Sequence, residues 1–159
     1  MYSNTSYWNP ANSTAYALNV QSTFDSSKPN YFVNNIIFAT VPGLENYSAT
    51  SGMGLTSDYN IYWYTGSGSP QWQANAVNCG SLGDWQGAMG MDSHSLFTDP
   101  LLNSPTYHDV GRPTTAFTLA TRSPAANAGW NMGNKGSQDF FGNALPKSGA
   151  VDIGACQAP

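Results

Sequence analysis

No long window of this chain carries apolar residues at i, i+3, i+4 and i+7, and Gly or Pro interrupts most stretches that come close. Long helices are therefore excluded as its building blocks. Short β-type runs recur instead: Ala17 to Val20, Tyr31 to Ala39, Asn60 to Tyr64, Ser95 to Thr98, Ala116 to Leu119 and Ala150 to Ile153. Clusters of Gly, Pro, Asn, Asp and Ser separate them and supply the positive φ and side-chain-to-backbone turns that tight corners need. Only Leu82 to Met89 and Ser123 to Ala128 read as helical turns, both short. With 159 residues, the expectation is a single all-β domain.

Two of the runs echo each other. Asn35-Ile36-Ile37-Phe38 and Asn60-Ile61-Tyr62-Trp63 share a pattern of Asn, Ile and two large apolar residues, about 25 residues apart. In a parallel β-helix each coil stacks on the last at about 4.8 Å, so aliphatics form an inward ladder. An Asn at a corner then bonds the Asn of the next coil. Two Asn-containing strands of a β-sandwich would give the same echo, so both architectures stay open on this ground alone.

Charged residues are only 9% of the chain, against roughly 25% in ordinary soluble domains. Its surface must be solvated by neutral Asn, Ser, Thr and Gly, which favour turns over helix interiors. Aromatics at 13%, with five Trp, supply enough apolar surface to drive folding. A net charge of −4 with five Lys and Arg excludes a phosphate-tracking nucleic-acid surface and disfavours an anionic membrane. No apolar run approaches the roughly 20 residues that span a bilayer. Low Lys content and abundant amides point outside the cell. Cys79 and Cys156 allow one intramolecular pairing; a disulfide and two buried free thiols both fit.

The second half adds a resemblance. Ser57 to Trp63, Asp92-Ser93-His94-Ser95-Leu96-Phe97-Thr98-Asp99-Pro100, Phe117-Thr118-Leu119 and Ser123-Pro124-Ala125-Ala126-Asn127-Ala128-Gly129 come in that order. Asp139-Phe140-Phe141-Gly142 and Asp152-Ile153-Gly154-Ala155 follow. These segments resemble the closing coils of secreted right-handed parallel β-helix repeat proteins of the pectate-lyase-like superfamily, over roughly residues 55 to 156. The chain departs from that pattern at Asn127, at Ala144-Leu145-Pro146 and at Cys156-Gln157, where the family usually has Asp, Arg-Pro and an aromatic-Glu pair. The resemblance implies a short solenoid or terminal coils. Residues 1–30 would be an N-terminal coil or cap, 30–122 the coils and 123–159 the closing segment. It also implies secretion, a polysaccharide partner, and further coils or a catalytic domain ahead of this segment. Fold does not fix function, so the site must be argued from residues.

Sugar rings present apolar C–H faces that pack on indole and phenol rings while amides bond the hydroxyls. Tyr62, Trp63 and Tyr64 on a strand, with Trp72 and Trp85 on flanking loops and Gln71, Gln73 and Gln86 beside them, form the expected platform. Trp72 is the one expected to be most exposed.

Glycoside hydrolysis needs two carboxyls about 5 to 10 Å apart. The acids weighed for it are Asp58, Asp84, Asp92, Asp99, Asp109 and Glu45, with Asp84, Asp92 and His94 the densest group. The corner-forming habits of Asp compete with that reading. A lyase needs a base and a cation on the uronate, but Arg112, Arg122, Lys135 and Lys147 are scattered. No metal or other cofactor is expected, since neither calcium-loop nor zinc spacing occurs. The leading expectation is a carbohydrate-binding or accessory domain of a polysaccharide-degrading system. The alternatives are a glycoside hydrolase or polysaccharide lyase, and a structural end-piece or adhesin-type module without ligand.

Overall fold

The computed structural model describes residues 3–9, 16–20, 28–48, 54–105, 115–133 and 136–158. Asp109, Arg112 and Lys135 lie outside the described residues. Ten strands appear in chain order: β1 Thr5–Trp8, β2 Tyr16–Val20, β3 Asn30–Val33, β4 Ile36–Ala39, β5 Gly43–Tyr47, β6 Leu55–Asp58, β7 Ile61–Tyr64, β8 Gln71–Ala74, β9 Val77–Cys79 and β10 Leu96–Phe97. The helix α1, Leu82–Met89, stands between the last two. The chain deals its strands in rotation to three sheets, ordered β1-β4-β7-β10, β2-β5-β8-β9 and β3-β6. Every pairing is parallel except β8 with β9. Regular structure among the described residues is thus mostly strand, in largely parallel sheets, with one α-helix.

The expected echo lies in register: Ile36 pairs with Ile61, Ile37 with Tyr62 and Phe38 with Trp63. One corner, repeated in each pass of the chain, sets that register. Ser3, Asn34, Tyr59 and Asp92 all have left-handed backbone, with φ of 52°, 58°, 55° and 59°. The first three are each followed directly by an Asn and then a strand of the first sheet. Asn4 Nδ2 donates to Asn35 Oδ1 at 3.1 Å and Asn35 Nδ2 to Asn60 Oδ1 at 3.0 Å. Ser95 Oγ takes the next place, accepting from the Asn60 N–H at 2.8 Å. Such buried bonds each contribute about 1 kcal/mol net, and an unpaired amide there would cost more.

Asn34 splits the expected run Tyr31 to Ala39 into β3 and β4. The run Ala116 to Leu119 becomes a 3-10 turn, Thr115–Phe117, with one bridge from Leu119 to Leu102. Ala150 to Ile153 keeps only the bridge of Val151 to Gly129. Leu82–Met89 is helical as expected, capped by Ser81 at one end and by left-handed Gly90 at the other. Ser123 to Ala128 forms turns and no helix.

Side chains alternate across the strands. Ile37, Ala39, Tyr62, Tyr64, Leu44, Tyr47, Trp72 and Ala74 face one core, closed by Cys79 and by Trp85 of α1. Trp72 and Trp85 are both 0% exposed, which corrects the expectation that they flank a surface strand. Burying each large side chain contributes about 1.5–3 kcal/mol, and an indole between two sheets offers more apolar area than any other residue. On the opposite side of the first sheet, Ile36 and Ile61 pack under Leu119, Ala125 and Ile153. The resemblance-carrying segments around Leu119, Ala125 and Ile153 therefore cover this face of the sheet, whereas Ser57 to Trp63 and Asp92 to Pro100 supply its strands β7 and β10.

Cys79 and Cys156 are free and buried, so the candidate disulfide is not present. Burial, with a contribution from the Asp139 charge, pushes the Cys156 thiol up to about 11, which leaves it a small hydrophobe at neutral pH. Among the described residues no helix is long and apolar enough to cross a membrane.

Candidate functional site

Asp84, Asp92 and His94 do not form a site together. Asp84 is exposed on the first turn of α1, where its N–H donates to Ser81 Oγ at 3.1 Å and its carboxylate accepts from the Ser81 hydroxyl at 2.7 Å. That is a helix-capping arrangement. Asp92 is fully buried. Its carboxylate accepts from Ser95 Oγ at 2.6 Å, Ser57 Oγ at 2.9 Å, Asn60 Nδ2 at 3.0 Å and Trp85 Nε1 at 3.0 Å. The Tyr62 hydroxyl lies 3.3 Å from it. A carboxylate so enclosed anchors structure and has no route to a substrate.

The expected aromatic platform is also redistributed. Tyr62, Tyr64, Trp72 and Trp85 are core residues. Gln86 donates to the Asp92 carbonyl at 2.6 Å, and Gln73 to Asn78 Oδ1 at 2.9 Å; Gln71 is exposed. Trp63 alone among the expected rings is half-buried on an outward face, in register with Phe38 and Tyr7, and 5.7 Å from the Phe97 ring.

A different row of rings occupies the surface. It runs from Tyr31 on β3 to Trp130, then to Tyr59 at the corner after β6, and ends on His94. Tyr31 and Trp130 have centroids 6.0 Å apart, Trp130 and Tyr59 6.2 Å, and Tyr59 stacks on His94 at 4.6 Å with only 11° between planes. Trp130 is 37% exposed, the His94 side chain 59%, and the two Tyr rings are half-buried.

Three local devices build this row. The side chain of Asn34 clamps the backbone of Trp130 on both sides, accepting from its N–H at 2.8 Å and donating to its carbonyl at 2.8 Å. Gly129 permits the close approach, since a Cβ there would lie 2.9 Å from the Val151 carbonyl and 3.0 Å from Asn34 Oδ1. Asp58 orients the far end: one oxygen accepts from the His94 N–H at 2.7 Å and the other meets His94 Nδ1 at 2.7 Å. That engagement of Nδ1 leaves Nε2 as the ring nitrogen available to a ligand.

Tyr59 is the outlier of the row. At φ 55° it holds a left-handed backbone that costs a residue with a Cβ roughly 1–2 kcal/mol. Asn34 fills the equivalent corner one pass earlier, and Asn tolerates that region well. A bulky ring kept in a strained backbone is a reason to look for function there.

Glu45 was weighed only as one acid among several, and the structure brings it to the buried carboxylate. A register shift between Gly43 and Glu45 turns it inward beside Trp72. Burial, then the Asp92 charge, holds its carboxyl well above the usual range, opposed by the hydrogen bond from Tyr62. Among the described residues no group of three or more His, Cys, Asp or Glu could hold a metal ion. Compared with protein-family models, with curated proteins and with solved structures, the chain matches none.

Proposed function

We propose that the rotation of strands among three sheets is that of a short right-handed parallel β-helix of the pectate-lyase-like kind. On this reading the protein is a secreted carbohydrate-binding or accessory domain that holds a polysaccharide on Tyr31, Trp130, Tyr59 and His94. The observation that carries the reading is the surface row itself: four rings in succession, braced from below by Asn34 and Asp58. A row of surface rings suits the C–H faces of successive sugars, and polar neighbours suit their hydroxyls. The hydrolytic alternative loses its named pair, because Asp92 is enclosed and Asp84 caps a helix.

Affinity electrophoresis against soluble glucans, xylans, mannans and pectins tests the reading. Retardation by at least one polymer, weakened by Trp130→Ala in a protein of unchanged fold, is the expected result. No retardation by any of them would overturn it. A structural module without ligand is the second reading, favoured by the burial of Trp72 and Trp85, and that negative outcome would select it.

A further inference from the structure

The C-terminal segment forms a second feature that the ring row does not use. A pocket of about 300 Å³ lies where it meets the start of the first strand, lined by Ser3, Asn4, Gln138, Asp139, Phe140 and Gln157 among others. Its volume stands at the lower end of ligand pockets, enough for one small ring and too small for a polymer to pass through.

The chemistry of the lining is narrow. Among the described residues neither Lys, Arg nor His contributes to it. The one carboxylate, Asp139, is occupied from within: it accepts from the N–H groups of Phe141, Asn143 and Gln157 at 2.9, 2.8 and 2.9 Å, and from Asn143 Nδ2 at 2.9 Å. With Asn4 committed to Asn35, what the lining offers a ligand is the amides of Gln138 and Gln157 and the Ser3 hydroxyl. The negative charge of Asp139 also repels an anion, with no cation among the described lining residues to offset it.

Phe140 supplies the apolar wall. At 63% it is more exposed than any other large hydrophobic residue among those described, and its ring meets Phe141 edge-to-face at 5.2 Å. The loop beneath it is fixed, since the Phe140 N–H bonds the Ala155 carbonyl at 2.9 Å and Leu145 N–H bonds the Ser137 carbonyl at 3.0 Å. A fixed loop that holds an apolar ring in water beside neutral polar groups is preorganised for a ligand with both kinds of surface.

We propose that this pocket binds a single neutral pyranose, such as a chain-terminal or branch sugar, and rejects a uronate. The inference rests on the carbohydrate reading of the protein and deepens it by naming a neutral sugar class. Amide-resolved NMR titrations with methyl β-glucopyranoside, methyl β-galactopyranoside, methyl α-mannopyranoside and sodium galacturonate test it. At least one neutral glycoside is expected to shift the side-chain amides of Gln138 and Gln157 saturably, while galacturonate leaves them in place. Phe140→Ala and, separately, Gln157→Ala should each weaken that binding roughly tenfold, about 1.4 kcal/mol. Both variants should keep the wild-type amide spectrum away from the pocket.

Silence of both amides with all three neutral glycosides overturns the proposal. So does an equal response to galacturonate, or full affinity in both variants. Polymer retardation with a silent pocket defeats the pocket alone, whereas silence in both assays defeats the carbohydrate reading as well.

Discussion

The Tyr62 hydroxyl donates to Glu45 Oε2 at 2.7 Å in the middle of the protein, where neither residue reaches solvent. Asp92 Oδ1 is 3.3 Å from the same hydroxyl, so two carboxyl groups share one phenol, and Glu45 Oε1 has no hydrogen-bond partner. Burial and the Asp92 charge raise the Glu45 carboxyl well above its usual value. The folded protein therefore binds a proton there that the unfolded chain releases near pH ~4.3. Stability from this group is full below that pH and is lost as pH rises toward the raised value. Urea midpoints should fall as pH rises above the unfolded value of about 4.3, and Glu45→Gln should flatten the fall. A slope unchanged in the variant would refute the assignment.

Asp92 and Asp84 should part company under mutation. Asp92→Ala strands the donors of Ser57, Asn60, Trp85 and Ser95 in the core, and about 3 kcal/mol or more of stability should be lost. Asp84→Ala removes one exposed partner of a helix cap and should cost less than about 1 kcal/mol. Chemical denaturation of the two variants checks the order; equal losses would contradict it.

At Tyr59 stability and binding should move in opposite directions. Tyr59→Asn places at this corner the residue found at Asn34, and relief of the left-handed strain should raise stability by about 1 kcal/mol. The same change removes the ring that joins Trp130 to His94, so polymer retardation should weaken. A variant that gained stability and kept full retardation would detach this ring from the site.

Gly129→Ala should damage the row at a distance. The new methyl meets the Val151 carbonyl and Asn34 Oδ1, and easing that contact costs on the order of 1–3 kcal/mol while displacing Trp130 from its clamp. Loss of polymer retardation together with a lowered melting temperature is expected. Asn34→Ala should reproduce the binding loss.

The echo between Asn35-Phe38 and Asn60-Trp63 was legible because identical corners produce identical register, and register is written in side-chain type. Strands such as β1 and β8 escaped because they carry Thr5, Ser6, Gln71 and Gln73, residue types that also suit loops. Yet Gln71-Trp72-Gln73-Ala74 does alternate polar and apolar residues, a strand signal that runs against the expectation of an exposed Trp72 on a loop. The surface row left no such trace. Its members come from four separate parts of the chain and meet only because corners stack and Asn34 reaches Trp130, 96 positions away. Glu45 was hidden for a related reason, since a bulge aims it and a bulge has no composition of its own.

The Ala155 N–H donates to Thr5 Oγ1 across 150 positions of sequence, and Gly154 packs against Ile36 and Thr5. This seam gives the chain a high contact order, which slows folding. Strands β1 to β10 can pair as they emerge from the ribosome, but Ile36 and Ile61 wait for Ala125 and Ile153 to cover them. For that interval the newborn protein carries an apolar sheet face open to water, so its yield in a cell should depend on how promptly the segments around Ala125 and Ile153 close over it, and on chaperones that shield the face until they do.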